Sequence, residues 1–288
     1  MSMRDGDATI EAAIRSVIWQ TFEDWELILI DDGSRDHGAA RAAKFGDPRI
    51  RIIRHEQSRG LAFRLNEAVG LARGEFIARM DVDDICYPER LATQLSVLQS
   101  DPRIDLLSSR GVVFRRQGEI VGVISAPTTH EEIVAHPYKG MPFLHPAWLG
   151  KAAWFRRHHY DETLLTAEDQ ELLLRTAACS RFATVDKILL GYRKERISLS
   201  KGFWGRLTYS RIIWRHARQS GAFARAAAEI GIHFVKFIPE IAAIIIGVDE
   251  WLLKQKFLFS MTLEETARWR TIWNAISSKI ENAAPSAN

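Results

Sequence analysis

Carboxylates gather at two points where predicted strands end. Asp31-Asp32 follows the apolar run Glu26–Ile30, and Asp81-Val82-Asp83-Asp84 follows Glu75–Met80. In open α/β sheets, ligands bind in the crevice at the carboxyl ends of the strands. Neighbouring carboxylates repel one another unless positive charge is brought between them. A divalent cation does this, and Mg²⁺ takes one or two carboxylates together with phosphate oxygens. In an extended segment alternate side chains share a side, so Asp81 and Asp83 can face one ligand. That is the chemistry of a metal–diphosphate site. A third acidic element, Glu168-Asp169, precedes the apolar helix Leu172–Ala178. Taken singly, each element is more often a solvated turn or dipole compensation in a first helical turn.

The elements that must carry these residues alternate. Ile10, Ala13, Ile14, Val17 and Ile18 mark a helix over 9–19. Leu61, Leu65, Ala68, Val69 and Ala72 mark another, stopped by Gly74. A third opens at Pro88, with Leu91, Leu95 and Leu98 as its stripe. Between them lie strands at 26–30, 51–54, 75–80 and 106–114, with Gln117-Gly118 as a hairpin turn. This spacing predicts an α/β fold, a mostly parallel sheet flanked by helices. Beyond about residue 200, helical patterns rich in Trp, Arg and Ala take over. The expected division is a catalytic domain over 1–200 and a helical C-terminal extension over 201–288, basic and amphipathic, with a disordered tail at 282–288.

Composition narrows the function classes. The chain has 288 residues, 47% hydrophobic and 26% charged, which is ordinary globular composition. Its formal charge of +3 is too small to imply nucleic acid as a partner. Cys86 and Cys179 form no metal-binding spacing, and no secretory leader or spanning segment is visible. A cytoplasmic protein is expected. His130, Glu131 and His136 do not make a zincin motif, and no GxxxxGK[ST] or GxGxxG occurs, which counts against kinases, ATPases and dinucleotide oxidoreductases.

Read in order, the blocks resemble one family. Gln20-Thr21-Phe22 through Asp31-Asp32-Gly33-Ser34 resembles the opening signature of family 2 glycosyltransferases, inverting enzymes with a GT-A fold. Ser58-Arg59-Gly60-Leu61-Ala62 with Asn66 looks like the next block, and Ala72-Arg73-Gly74 through Asp81-Val82-Asp83-Asp84 with Pro88-Glu89-Arg90-Leu91 looks like the Asp-x-Asp block. Pro142 through Pro146, Tyr160-Asp161-Glu162 and Ala167-Glu168-Asp169 look like the acceptor-side blocks, and Phe182 to Arg193 is similar to the strand pair that closes the domain. The match covers roughly residues 8 to 200.

The resemblance implies an inverting transfer of a sugar from a nucleoside-diphosphate donor to a saccharide or lipid-linked acceptor, in surface polysaccharide or glycolipid synthesis. Asp31 and Asp32 would contact the base, chiefly through Asp32. Asp81 would meet the ribose or the metal shell, and Asp83 would ligate Mg²⁺ or Mn²⁺. Arg59 or Arg64 would reach phosphate. Asp169 would be the general base, with His145 and Glu168 on the acceptor side.

One departure stands out. Family members begin with an apolar strand ending in Pro-x-Tyr-Asn; here Met1–Ala8 stands where that strand should end, and the strand itself is expected to be absent. A misassigned start, a true truncation and another segment filling the gap all account for it. Two alternatives remain at this point: a degenerate, non-catalytic member of the fold, and a nucleotidyltransferase. The basic stretch with Arg206, Arg211, Arg215, Arg218 and Arg225 suits an anionic membrane surface on the inner face, or equally a solvated helical appendage.

Overall fold

The computed structural model describes residues 1–256 and 261–281, so the tail at 282–288 lies outside the described residues. The first half runs β1 (Ser2–Met3), α1 (Ile10–Ile18), β2 (Leu27–Asp32), α2 (Gly38–Ala43), β3 (Ile50–His55), α3 (Leu61–Leu71), β4 (Phe76–Ala78), β5 (Ile85–Cys86) and α4 (Arg90–Ser100). There follow β6 (Leu106–Arg115), β7 (Glu119–Ile124), α5 (His130–Val134), β8 (Leu149–Lys151), α6 (Ala152–Arg157), α7 (Glu168–Thr176) and β9 (Phe182–Arg193). The chain ends in helices α8 (Leu199–Ser220), α9 (Phe223–Val235), α10 (Ile238–Ile246), α11 (Asp249–Lys256) and α12 (Leu263–Glu281).

Pairing divides the strands into two sheets. β1, β2 and β3 form a parallel sheet, and every residue of β2 is buried, as its unbroken apolar run requires. The second sheet has the order β4-β8-β6-β9-β5, with β7 added to β6. Here only β6 and β9 are parallel, and the other pairs are antiparallel. β6 and β7 are joined through Gln117 and Gly118, both at positive φ, which matches the right-handed twist of a tight hairpin.

Two expectations are corrected. The opening strand is not wholly absent: Ser2 and Met3 pair parallel with Ile30 and Asp31. Its last residues are apolar enough to bury, and Met3 is 1% exposed. The closing strand pair is one continuous strand, β9, whose register slips between Val185 and Ile188. A slip bends the strand without ending it.

Residues beyond 200 do not fold apart from the rest. Tyr209, Ile212, Ile213 and Ala217 of α8 share one core cluster with Leu106, Trp148, Leu172 and Phe182. At the other end, Trp269 of α12 is fully buried against Gly191, where a Cβ would lie 2.5 Å from its ring. Its indole N–H donates to the Gly118 carbonyl at 2.8 Å.

The basic stretch of α8 and α9 stays largely exposed, with Arg211, Arg215, Arg218 and Arg225 at the surface, although several of its arginines are tied to the rest of the chain. Arg206 pairs with Glu240, Arg215 with Asp161 and Glu171, and Arg225 donates to the Ala135 carbonyl. The exposed apolar ridge lies further on, at Val235, Ile238, Ile241, Ile245, Ile246 and Trp251. No described helix is long and apolar enough to cross a membrane.

Candidate active site

β2 delivers Asp31 and Asp32 to the end of the first sheet, and both are buried. Gly33 follows at φ +75°, and a Cβ there would press on the backbone of Glu56 and Ser58. That close approach lets the 56–60 loop fold onto Asp32. Asp32 Oδ1 accepts from the Arg59 amide at 2.8 Å and Arg64 Nε at 2.6 Å, while Oδ2 accepts from Ser58 Oγ at 2.6 Å and the Gly60 amide at 3.0 Å. Burial opposes its charge, but these four donors outweigh burial and hold its pKa below the usual carboxylate range.

Two expectations change here. Asp32 has no acceptor site left for a nucleotide base and instead organises the loop. Arg64 is 2% exposed and spends its guanidinium on Asp32, Glu67 and the Gln57 carbonyl, so it does not reach out to phosphate. Arg59 is exposed, its guanidinium 3.3 Å from the centre of the Phe63 ring. Asp31 accepts from the Ser34 amide at 2.9 Å and lies 3.5 Å from Arg54.

β4 leads into the second acidic element. Asp81, Asp83 and Asp84 bring one carboxylate oxygen each within 4.8 Å of one another. Arg79, which sequence reasoning passed over, clasps Asp81 with two contacts of 2.6 and 2.7 Å. Burial, then the charge of Asp81, pushes the Asp83 carboxyl up. Asp84 is fully buried and is pushed up further by the same burial and by both neighbours. Its Oδ1 accepts from the Arg193 amide at 2.9 Å, and its Oδ2 has no partner. Arg193, also passed over, donates from Nε to the Asp83 carbonyl at 3.0 Å. A cluster of crowded carboxylates with one buried oxygen unsatisfied fits a hard divalent cation held by oxygen ligands.

The third element sits on α7. Ala167, its N-terminal flank, is held in the left-handed region at φ +60°, uncommon for a residue other than glycine and often seen where a site needs fixed geometry. Glu168 and Asp169 open the helix. Burial, then the Asp169 charge, pushes Glu168 to about 7. Burial likewise raises Asp169, against a 3.5 Å hydrogen bond from Gln170. His145 Nε2 meets the Tyr160 hydroxyl at 2.9 Å, and its Nδ1 lies 3.8 Å from Glu168. Burial, reinforced by the charge of Arg79, pushes the His145 pKa well down, so its ring is neutral at pH 7. Arg79 ties the elements together: its charge acts on Asp81, Asp83, Asp84, Glu168 and Asp169 alike.

Comparison with known proteins assigns the family. The family model for glycosyl transferase family 2 matches residues 3–161, more than half of the chain. The chain belongs to glycosyltransferase family 2. It is 30% identical over 189 residues to an uncharacterised glycosyltransferase of Methanocaldococcus jannaschii, covering 64% of this chain and 65% of that one. It is 33% identical over 127 residues to the UDP-Glc:alpha-D-GlcNAc-diphosphoundecaprenol beta-1,3-glucosyltransferase WfgD of Escherichia coli, covering 44% of this chain and 49% of that one. The alignments thus span about half to two thirds of these relatives' lengths. Among solved structures it resembles the mannosyltransferase PcManGT of Pyrobaculum calidifontis in complex with GDP-Man and Mn²⁺, at TM-score 0.56 and 15% identity over 99% of this chain and 86% of that one. The family 2 chain therefore has the GT-A fold expected from its blocks, with the helical C-terminal region appended. Family membership sets the nucleotidyltransferase reading aside.

Proposed function

We propose that this protein transfers a sugar from a nucleoside-diphosphate donor to a hydroxyl acceptor with inversion, in the assembly of a surface polysaccharide or glycolipid. The observation that supports it is the cluster of Asp81, Asp83 and Asp84, with one carboxylate oxygen of each within 4.8 Å of the others and Arg79 clasping Asp81. Residues 1–200 carry the donor and acceptor machinery in this reading, and 201–288 are its helical extension.

In the proposed site Asp31 contacts the nucleotide base, Asp81 the ribose, and Arg59 the phosphates. Asp83, flanked by Asp84, holds Mg²⁺ or Mn²⁺, which when bound stabilises negative charge growing on the departing diphosphate. Asp169 removes the proton from the acceptor hydroxyl, which then attacks the anomeric carbon from the face opposite the leaving group. Glu168 and the neutral His145 line the acceptor side, where a base must stand within hydrogen-bond reach of the hydroxyl. A screen of nucleoside-diphosphate sugars tests this by release of the nucleoside diphosphate. The expected result is acceptor-dependent release from one donor class, lost on chelation of divalent ions. No release from any donor, with no binding of nucleoside diphosphates by calorimetry, would favour a non-catalytic scaffold.

A lipid-linked acceptor fits the exposed ridge of α10, where Ile238, Ile241, Ile245 and Ile246 face solvent between Lys236 and Trp251. Apolar residues beside Lys and Trp suit a headgroup boundary. We expect the protein to float with vesicles containing anionic lipid, and Ile245→Asp with Ile246→Asp to reduce the bound fraction at least about 5-fold. No flotation of the unaltered protein ends the membrane reading.

A further inference from the structure

Asn66 stands on α3, the helix that opens directly after Gly60, whose amide Asp32 holds. Its side-chain amide is spent on one segment across the site. Oδ1 accepts from the Tyr160 amide at 2.9 Å, and Nδ2 donates to the Tyr160 carbonyl at 3.0 Å and to Glu162 Oε1 at 2.9 Å. A carboxamide that accepts from and donates to the same residue fixes that residue's backbone much as a paired strand does.

Tyr160 is pinned at its other end as well. Its hydroxyl meets His145 Nε2 at 2.9 Å, and its ring is buried in the core cluster that holds Leu65 and Val69 of α3 with Leu172 and Leu173 of α7. From Tyr160 the chain turns, with Asp161 Oδ1 accepting from the Thr163 amide and hydroxyl at 3.1 and 2.6 Å. It passes Leu165, which is 85% exposed, and enters Ala167, Glu168 and Asp169. Leu165 also comes back to the donor side: a Cβ on Gly60 would lie 3.9 Å from its Cδ2. Ordering a loop costs conformational entropy residue by residue. A segment with Glu162, Thr163 and Leu165 all exposed therefore keeps one geometry only while its ends are held.

We propose that Asn66 is a positioning residue for the transfer reaction, a role that rests on the functional reading above. Through Tyr160 it sets where α7 begins, and so where the Asp169 carboxylate meets the acceptor hydroxyl. Through α3 it ties that geometry to the loop that carries Arg59 on the donor side. An acceptor sugar brings its attacking hydroxyl to one place, and a misplacement of about 1 Å costs on the order of 10²-fold in rate. A water molecule is not so constrained. Its oxygen can bond to the anomeric carbon as the bond to the diphosphate oxygen breaks, with its proton passing to the Asp169 carboxylate. Loosening the hold of Asn66 therefore exchanges transfer for hydrolysis of the donor.

The test uses the donor and acceptor that sustain turnover in the screen described above, and follows transfer and donor hydrolysis side by side. Asn66→Asp keeps the size of the side chain and the bond from the Tyr160 amide, and loses both donated bonds. It is expected to lower transfer about 10²-fold and hydrolysis less than about 3-fold, with nucleoside-diphosphate affinity held within about 2-fold. Amide exchange over 163–168 is expected to quicken at least about 10-fold while that of α3 stays as it was. Transfer and hydrolysis falling together, transfer left unchanged, or exchange over 163–168 left unchanged each overturns the proposal and leaves the functional reading standing. No turnover from any donor in the unaltered chain overturns both. Should Asn66→Asp fail to fold, Asn66→Ser carries the test, and an unchanged ratio of hydrolysis to transfer in it is equally decisive.

Discussion

Asp169→Asn is expected to lower the transfer rate by about 10³-fold and to leave the melting temperature nearly unchanged. The amide keeps the size of the side chain and its neighbour Gln170, and removes only the ability to take a proton. In the proposed role Asp169 must be deprotonated to act, so the sign of the pH dependence follows. Burial raises Asp169, and burial with the Asp169 charge raises Glu168 to about 7. The rate should therefore climb with pH over a range lying above the usual carboxylate one, and level off once Asp169 is ionised. Glu168→Gln removes a neighbouring negative charge, makes Asp169 easier to ionise, and shifts that rise to lower pH. A kcat/KM profile for the three proteins reads both effects. Near-normal turnover in Asp169→Asn would show that another group is the base.

Asp83→Ala removes the proposed cation ligand and should abolish metal-dependent turnover to within about 10²- to 10³-fold of background. A thermal readout separates this from misfolding. Asp83 and Asp84 are both raised by burial, so the fold prefers them protonated. A carboxyl raised in the folded state contributes stability at low pH and loses it as pH climbs through the folded value. As pH rises the carboxylates ionise and repel one another more, and a cation relieves the repulsion. At pH 5 protons compete for the same oxygens. Saturating Mn²⁺ should thus raise the melting temperature by roughly 5 °C at pH 8 and much less at pH 5. In Asp83→Ala the Mn²⁺ shift should vanish, while the cation-free protein at pH 8 melts no lower than the unaltered one. An undiminished Mn²⁺ shift would move the ligand role elsewhere.

The acidic residues could be picked out from type and position, Asp31, Asp81 and Asp83 where strands end and Glu168 and Asp169 where a helix opens. Their supports could not. Arg79 interrupts a short apolar strand and carries no motif, yet its charge acts on both acidic elements. Its one visible signal was a cation two residues before Asp81, on the same side of an extended segment. Arg193 acts partly through its backbone amide, which any residue supplies. Asp32 looked like a ligand contact because a buried carboxylate and an exposed one read alike until its donors are seen. Periodicity located α1, α3 and α4 to within a residue or two, because one face of each is buried. It could not show that β9 runs on through its register slip, since a bend leaves the apolar pattern nearly intact. Nor could it show which acids Arg206 and Arg215 pair with, because Asp161, Glu171 and Glu240 are distant in sequence.

Trp269 reaches further than its own helix. It stacks on Tyr87, its neighbour Arg268 holds Glu89 at 2.6 Å, and Trp273 lies beneath Arg193. Tyr87 and Arg193 flank the segment that carries Asp83 and Asp84. α12 thus acts as a keystone for that segment, and exchanging it for a foreign helix is expected to disturb the carboxylates it braces. A chimera would have to bring along the notch formed by Gly118 and Gly191, or the graft would set the carboxylates at the wrong spacing before any sugar arrived.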